Sequence, residues 1–372
     1  MTKNMNLIEA VERERHHVVV DSYTPTWNEL IAQYRAGDVE IDPAYQRAFR
    51  WTYDQQTTYI ESLLLNIPTP PVFLAEKPNG SFEVIDGLQR FSTIIKFFAA
   101  EIFDDNADTE DNNASVENDV KVPLILTEAP ILDGLFGLSR ATFPDTLVRT
   151  LRYSRVQVIL LKKESSSIAR YNVFTRLNRA GTTLSNQEIR NCSARLFESD
   201  FADRLNSLGN DSAVRTALGL SSKEASSMGA QENVLRLIAF GNFTPPTKSI
   251  EDFLDSVMYQ AASGDFDFSE DMERKIRETF ELIADAYPHG EAFKFHRNGR
   301  FQGAFSPNLF DIVACGVFKN LVKCRRKGSD ALRNRILELH DQKKTLDLTG
   351  AGSNTRAKML GRATFGKSWF SA

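Results

Sequence analysis

Apolar side chains along this chain recur at two periods, and the switches between them mark out strands and helices. From Ser81 to Ile85 they alternate with polar residues and then run fully apolar, as in a half-buried strand. Phe91, Ile94, Ile95, Phe97 and Phe98 follow at the spacing of one helix face. Upstream, residues to about Glu14 read as a polar helical lead-in and His17–Val20 as an apolar strand. Thr24-Pro25-Thr26 then signals a helix over Trp27–Ala36. Thr52 and Gln55 form a capping box for a helix running to about Asn66. Pro68, Pro70 and Pro71 force the next segment to be extended, leading into a strand over Val72–Glu76, and Pro78-Asn79-Gly80 turns the chain back. Val156–Leu161 reads as a buried strand, and Ser165-Ser166-Ser167 starts a helix through about Leu177. Asn178-Arg179-Ala180-Gly181 ends that helix, and Ser185 to Glu188 forms a second capping box.

From Phe197 onward the pattern is helical, with Val234–Phe240, Phe253–Ala261, Met272–Tyr287, Leu309–Lys323 and Ser329–His340 as the clearest segments. A chain of 372 residues is long for one core. The expected architecture is α+β: a lead-in over 1–14, an α/β domain over 15–195 and a mostly α-helical domain over 196–372. Between Glu101 and Asp119 stand eight acidic residues and no Lys or Arg, which predicts a mobile, solvated insertion rather than a DNA mimic or a metal site.

Charge divides the chain unevenly. From Lys319 to the end there are thirteen Lys and Arg against four Asp and Glu, leaving −13 for the rest of a chain whose total is −4. Two readings stay open: a polyanionic partner, DNA above all, held by residues such as Arg325, Arg326 and Lys327, or a solvated face docked on the acidic body. Aromatic residues enter this stretch only at Phe365, Trp369 and Phe370, which argues against base stacking. No run of eighteen apolar residues and no signal-type N-terminus is present, so the expected location is the cytoplasm, with no membrane contact. Cys192, Cys315 and Cys324 lack CxxC spacing and read as reduced structural residues. His16, His17, His289, His296 and His340 show no zinc spacing. His296-Arg297-Asn298 resembles a fragment of a ββα-metal nuclease site, for which the sequence offers no strand-turn-helix context. Thr349–Thr355 either receives a phosphate or punctuates two helices.

The strongest chemical signal is Asp86-Gly87-Leu88-Gln89-Arg90, at the strand-to-helix junction. A glycine at the turn lets a ligand approach the backbone, first-turn N–H groups and the helix dipole favour an anion, and Arg90 adds a charged contact. The same residues also suit a plain cap and a solvated first turn. A second cluster tips the balance: in Ile41 to Trp51, Gln46, Arg47 and Arg50 are interleaved with Tyr45, Phe49 and Trp51, a mixture suited to a planar base and its phosphates. Further on, Asn178, Gln187, Glu188, Arg190 and Asn191 have the spacing to share a corner, with Glu188 either capping its own helix or orienting a water or metal.

Four ordered segments carry a resemblance to a known family: Asp42 to Trp51; Ile60-Glu61-Ser62-Leu63-Leu64 through Pro68, Pro70, Pro71 and Leu74; Val84 to Thr93; and Leu177 to Asn191. Together they make the first two hundred residues resemble the N-terminal domain of GmrSD-type modification-dependent restriction systems. The resemblance implies a ParB/sulfiredoxin-like fold, nucleotide binding or NTP hydrolysis at the Asp86–Arg90 segment, and a role in defence against phage DNA beside a separately encoded nuclease or effector. It implies that Arg47 and Arg90 hold phosphates, Gly87 opens the backbone, Asp86 positions Mg²⁺ or water, and Gln46 and Gln89 orient the nucleotide. Tyr45 or Trp51 would stack on the base, Asn178 and Arg190 would join the nucleotide site, and Glu188 would assist catalysis. The HNH-type nuclease domain of some relatives is not recognisable in this chain. Leu88 departs from the family pattern, which has glutamine there, and its side chain makes no hydrogen bond. Alternative readings are a DNA-binding adaptor without NTPase activity and a metal-dependent nuclease; oligomeric state is left open.

Overall fold

In the computed structural model, the described residues are 7–9, 11–12, 15, 17–41, 51–103, 122–181, 185–195, 197, 199–245, 249–350, 352–353 and 355–371. The acidic stretch from Asp104 onward and the cluster Asp42–Arg50 lie outside them. The chain divides into two compact units, residues 1–183 and 184–372.

In the first unit a mixed five-stranded sheet is built from β1 (Val20–Tyr23), β2 (Val39–Glu40), β3 (Val72–Glu76), β4 (Phe82–Asp86) and β5 (Val158–Leu161), in the order β1-β5-β3-β4-β2. β1 and β5 run antiparallel, as do β3 and β4, while β3 with β5 and β4 with β2 are parallel. The first strand lies at Val20–Tyr23 rather than His17–Val20, because pairing of Val20 with Leu161 sets its register. Around the sheet stand α1 (Trp27–Ala36), α2 (Tyr53–Leu64), α3 (Leu88–Phe97), α4 (Asp145–Tyr153) and α5 (Ser167–Gly181). The predicted capping box at Thr52 is present, and Thr26 caps α1 in the same way with Glu29. Trp27, Leu30, Ile60, Leu74, Val84, Phe91 and Ile94 form one buried cluster. In it the Trp27 ring meets Tyr59 and Phe91 edge-on at 6.5 and 5.8 Å.

The second unit is helical: α6 (Asn186–Ala194), α7 (Phe201–Asn210), α8 (Ser212–Leu218), α9 (Gly229–Asn242), α10 (Ile250–Ala262), α11 (Glu270–Ala286), α12 (Pro307–Lys319), α13 (Leu321–Lys327), α14 (Ser329–His340), α15 (Lys343–Thr349) and α16 (Arg356–Ser371), with a hairpin of β6 (Phe295–Arg297) and β7 (Arg300–Gln302). Its core includes Val234, Ile238, Phe280, Ile283, Phe310 and Val313, all fully buried. The helix expected over Leu309–Lys323 is broken at Asn320, whose side-chain amide donates to the carbonyls of Gly316 and Lys367 at 2.9 Å and so competes with helical continuation. Where α12 and α16 cross, a Cβ at Gly366 would run into the Ile312 carbonyl. Cys192, Cys315 and Cys324 are buried and form no disulfide with one another. Among the described residues no helix is long and apolar enough to cross a membrane.

Candidate functional site

β4 delivers Asp86 to the edge of the first unit's core. The β3–β4 ladder slips between Phe73 and Leu74, so that Asp86 faces Phe73 and Val84 faces Leu74, an irregularity that re-aims the strand end. Gly87 then turns the chain at φ +90° and stands at the N-cap of α3. A side chain there is excluded twice. The backbone is left-handed, and a Cβ would lie 3.0 Å from Arg90 Nη2 and 3.2 Å from Val72 Cα. A glycine cap has no side chain to accept from the first-turn N–H groups, which are left to other acceptors.

Arg90 folds back over this turn. Its Nη2 donates to Asp86 Oδ2 at 3.2 Å, and its side chain is 11% exposed against 24% for Asp86. Beneath it, burial pushes the Tyr59 phenol up, against the opposing pull of the Arg90 charge. Gln89 Oε1 accepts from the Trp51 N–H at 3.0 Å, and Gln56 Nε2 donates to the Trp51 carbonyl at 2.9 Å. These two amides clip the start of α2 to α3 and hold the half-buried Trp51 ring edge-on to Tyr59 at 5.7 Å. Leu88 packs against the core cluster. Asp86, Gly87, Gln89, Arg90 and Trp51 are therefore brought together at one turn. Gln56, Tyr59 and Val72, which complete the surroundings, were not anticipated; a glutamine five positions after Trp51 on a capped helix was the available signal.

Tyr45, Gln46 and Arg47 lie outside the described residues, as does the Asn178 side chain. Glu188 belongs to the second unit, where it completes the capping box of α6: the Ser185 N–H donates to Glu188 Oε2 at 2.7 Å and Glu188 N–H to Ser185 Oγ at 3.2 Å. Arg190, expected at the nucleotide, is 1% exposed and braces the helical unit instead. Its Nε donates to Asp255 at 2.8 Å and its Nη1 to Glu232 at 3.2 Å and Gln187 at 3.3 Å. Of the basic trio, Arg325 pairs with Glu278 at 2.7 Å, while Arg326 and Lys327 are exposed on α13.

His296 corrects one reading. It sits in a β-hairpin that is followed by a helix, a context invisible in the sequence because each strand is only three residues long. Its neighbours are the rings of Phe301 and His340 at 5.0 and 6.2 Å. Among the described residues, no group of three or more His, Cys, Asp or Glu side chains is placed to hold a metal.

Residues 28–194 match the family model described as GmrSD restriction endonuclease, N-terminal domain. No curated protein and no solved structure matches the chain. The segment that carries the Asp86–Arg90 turn, residues 28–194, is thus similar to the GmrSD restriction endonuclease N-terminal domain family.

Proposed function

We propose that the β4–α3 turn binds the phosphates of a nucleoside triphosphate, and that the protein is a nucleotide-controlled component of a restriction-type defence system directed at DNA, acting on a separate effector. The observation that carries this reading is the geometry at Gly87. A helix start without a side-chain cap, a backbone kept bare by its own conformation and a mostly buried guanidinium 3.2 Å from its tethering carboxylate converge on one turn. An arriving phosphate takes hydrogen bonds from the first-turn amides and shares Arg90 with Asp86. Mg²⁺ accompanying a nucleotide is commonly held by one or two carboxylates plus the phosphates, so Asp86 alone suffices as the protein's ligand. Gln89, whose Oε1 accepts from the Trp51 N–H, stands in the first turn of the same helix as the residue that orients the nucleotide. Trp51 stands at the same corner as the stacking candidate for the base.

Titration of the purified protein with each of the four NTPs, with and without Mg²⁺, tests the reading. Saturable binding of at least one of them, weakened by Arg90→Ala, is expected. Absence of binding by all four would remove it.

A further inference from the structure

In the second unit, a groove of about 500 Å³ lies between α11 and the α12–α13 break, lined by Arg274, Lys275, Glu278, Lys319, Val322 and Lys323 among others. Its charges are balanced unequally. Arg274 pairs with Asp271 and Arg325 with Glu278, so both carboxylates at the groove are already engaged. Lys319 Nζ donates to the Gly241 carbonyl and Lys323 Nζ to the Ser371 carbonyl at 2.9 Å. Carbonyls fix an ammonium group but carry no formal charge, so they leave its charge in place. Lys275 lies over the Phe318 ring at 4.2 Å, and burial and then the charge of Lys319 hold its pKa below the usual lysine range. Two ammonium groups that repel each other across one concavity are relieved by an anion. Val322, at 83% exposure, lines the groove without adding a counter-charge, and Arg326 and Lys327 on α13 are exposed and add to the positive charge of that helix.

We infer that this groove is a sequence-independent docking surface for the phosphodiester backbone of duplex DNA. Residues 321–327 of α13 extend over roughly 9 Å at 1.5 Å per residue, longer than one phosphate and suited to a chain of them. Direct reading of bases is not part of the inference, because the surface consists of point charges and not of groups placed at base edges. The choice of DNA among polyanions rests on the restriction-type reading of residues 28–194, whereas the groove itself is independent of NTP binding.

The test uses the full chain, a fluorescent duplex of random sequence and poly-glutamate as competitor, across a series of salt concentrations. Each lost phosphate contact lowers the slope of log affinity against log salt by about 0.9, so Lys323→Ala with Arg326→Ala is expected to lower it by about two. Arg297→Ala with Arg300→Ala, an equal charge change on exposed hairpin positions outside the groove, should leave the slope unaltered. Val322→Glu, at a position too exposed to disturb the core, is expected to weaken DNA binding about fivefold, the scale of one added charge near the phosphates. The inference is overturned if duplex DNA fails to bind at low salt, if both paired variants change the slope equally, if Val322→Glu binds as the parent does, or if poly-glutamate binds more tightly than DNA and thereby marks an acidic protein as the partner. NTP titration of the same preparation judges the nucleotide reading separately.

Discussion

A side chain at position 87 would have to adopt φ +90° and place its Cβ 3.0 Å from the Arg90 guanidinium. Gly87→Ala is therefore expected to cost about 1–3 kcal/mol, the range for strained backbone positions, measured as a shift in denaturant midpoint without a change in slope. Arg90 acts at the same turn through charge. Its removal should weaken NTP binding by about 1.5–3 kcal/mol, the scale of a charged hydrogen bond, as calorimetric titration would show. Equal affinity in Arg90→Ala and parent protein would deprive this residue of its phosphate role. Because Arg90 is mostly buried against Asp86, the variant should also melt earlier, which a sequence reading of Arg90 as a solvated first-turn residue does not foresee.

At the level of single elements, the start of α6 separates capping from catalysis. Ser185 and Glu188 satisfy each other's backbone donors, and glutamine at the N3 position closes such a box as glutamate does. Ser185→Ala is expected to lower the stability of the helical unit by about 0.5–2 kcal/mol, whereas Glu188→Gln should leave its melting temperature nearly unchanged. If Glu188→Gln also leaves any NTP turnover unchanged, capping is the whole of its role; a selective loss of turnover would restore it to chemistry. The break at Asn320 has a comparable local cause, yet its consequence is directional: it starts α13 afresh and presents Val322, Lys323, Arg325, Arg326 and Lys327 to solvent.

The helical unit as a whole hangs on a buried ionic knot. Arg236 on α9 holds Asp311 on α12 with two bonds of 2.5 and 2.9 Å, and Arg362 on α16 adds a third at 2.8 Å, with Asp311 wholly buried. Asp311→Ala leaves two buried guanidinium groups without their counter-charge and is expected to destabilise this unit by about 3–5 kcal/mol, read by thermal unfolding. Acid should act on the same unit through His340. Burial, then the charge of His296, holds its pKa at about 4 against an ordinary 6.5, with Asp341 opposing. The unfolded chain thus binds a proton that the folded one refuses, so stability is complete above 6.5 and falls as pH drops towards 4. His340→Phe, which keeps a ring beside Phe295 and Phe301, should flatten that acid limb in a series of melting curves; an unaltered limb would assign the loss to other groups.

Sequence sufficed wherever a structure is decided by near neighbours. The alternation over Phe82–Ile85, the capping boxes at Thr52 and Ser185, and the turn at Gly87 all depend on groups within a few positions of one another, so their residue types announce them. The grouping of Asp86, Gly87 and Arg90 was legible for that reason. Trp51 and Gln89, clipped together across 38 positions, were each named from sequence, but not their bond. Arg190 carries the same charge as Arg90 and stood in an equally suggestive motif, yet it braces a helical core because Glu232 and Asp255, 42 and 65 positions away, fold onto it. Arg236 and Asp311 are 75 positions apart, and nothing local distinguishes them from surface residues. A guanidinium serves a ligand or a fold according to which carboxylate reaches it first, and that is settled only when distant helices pack.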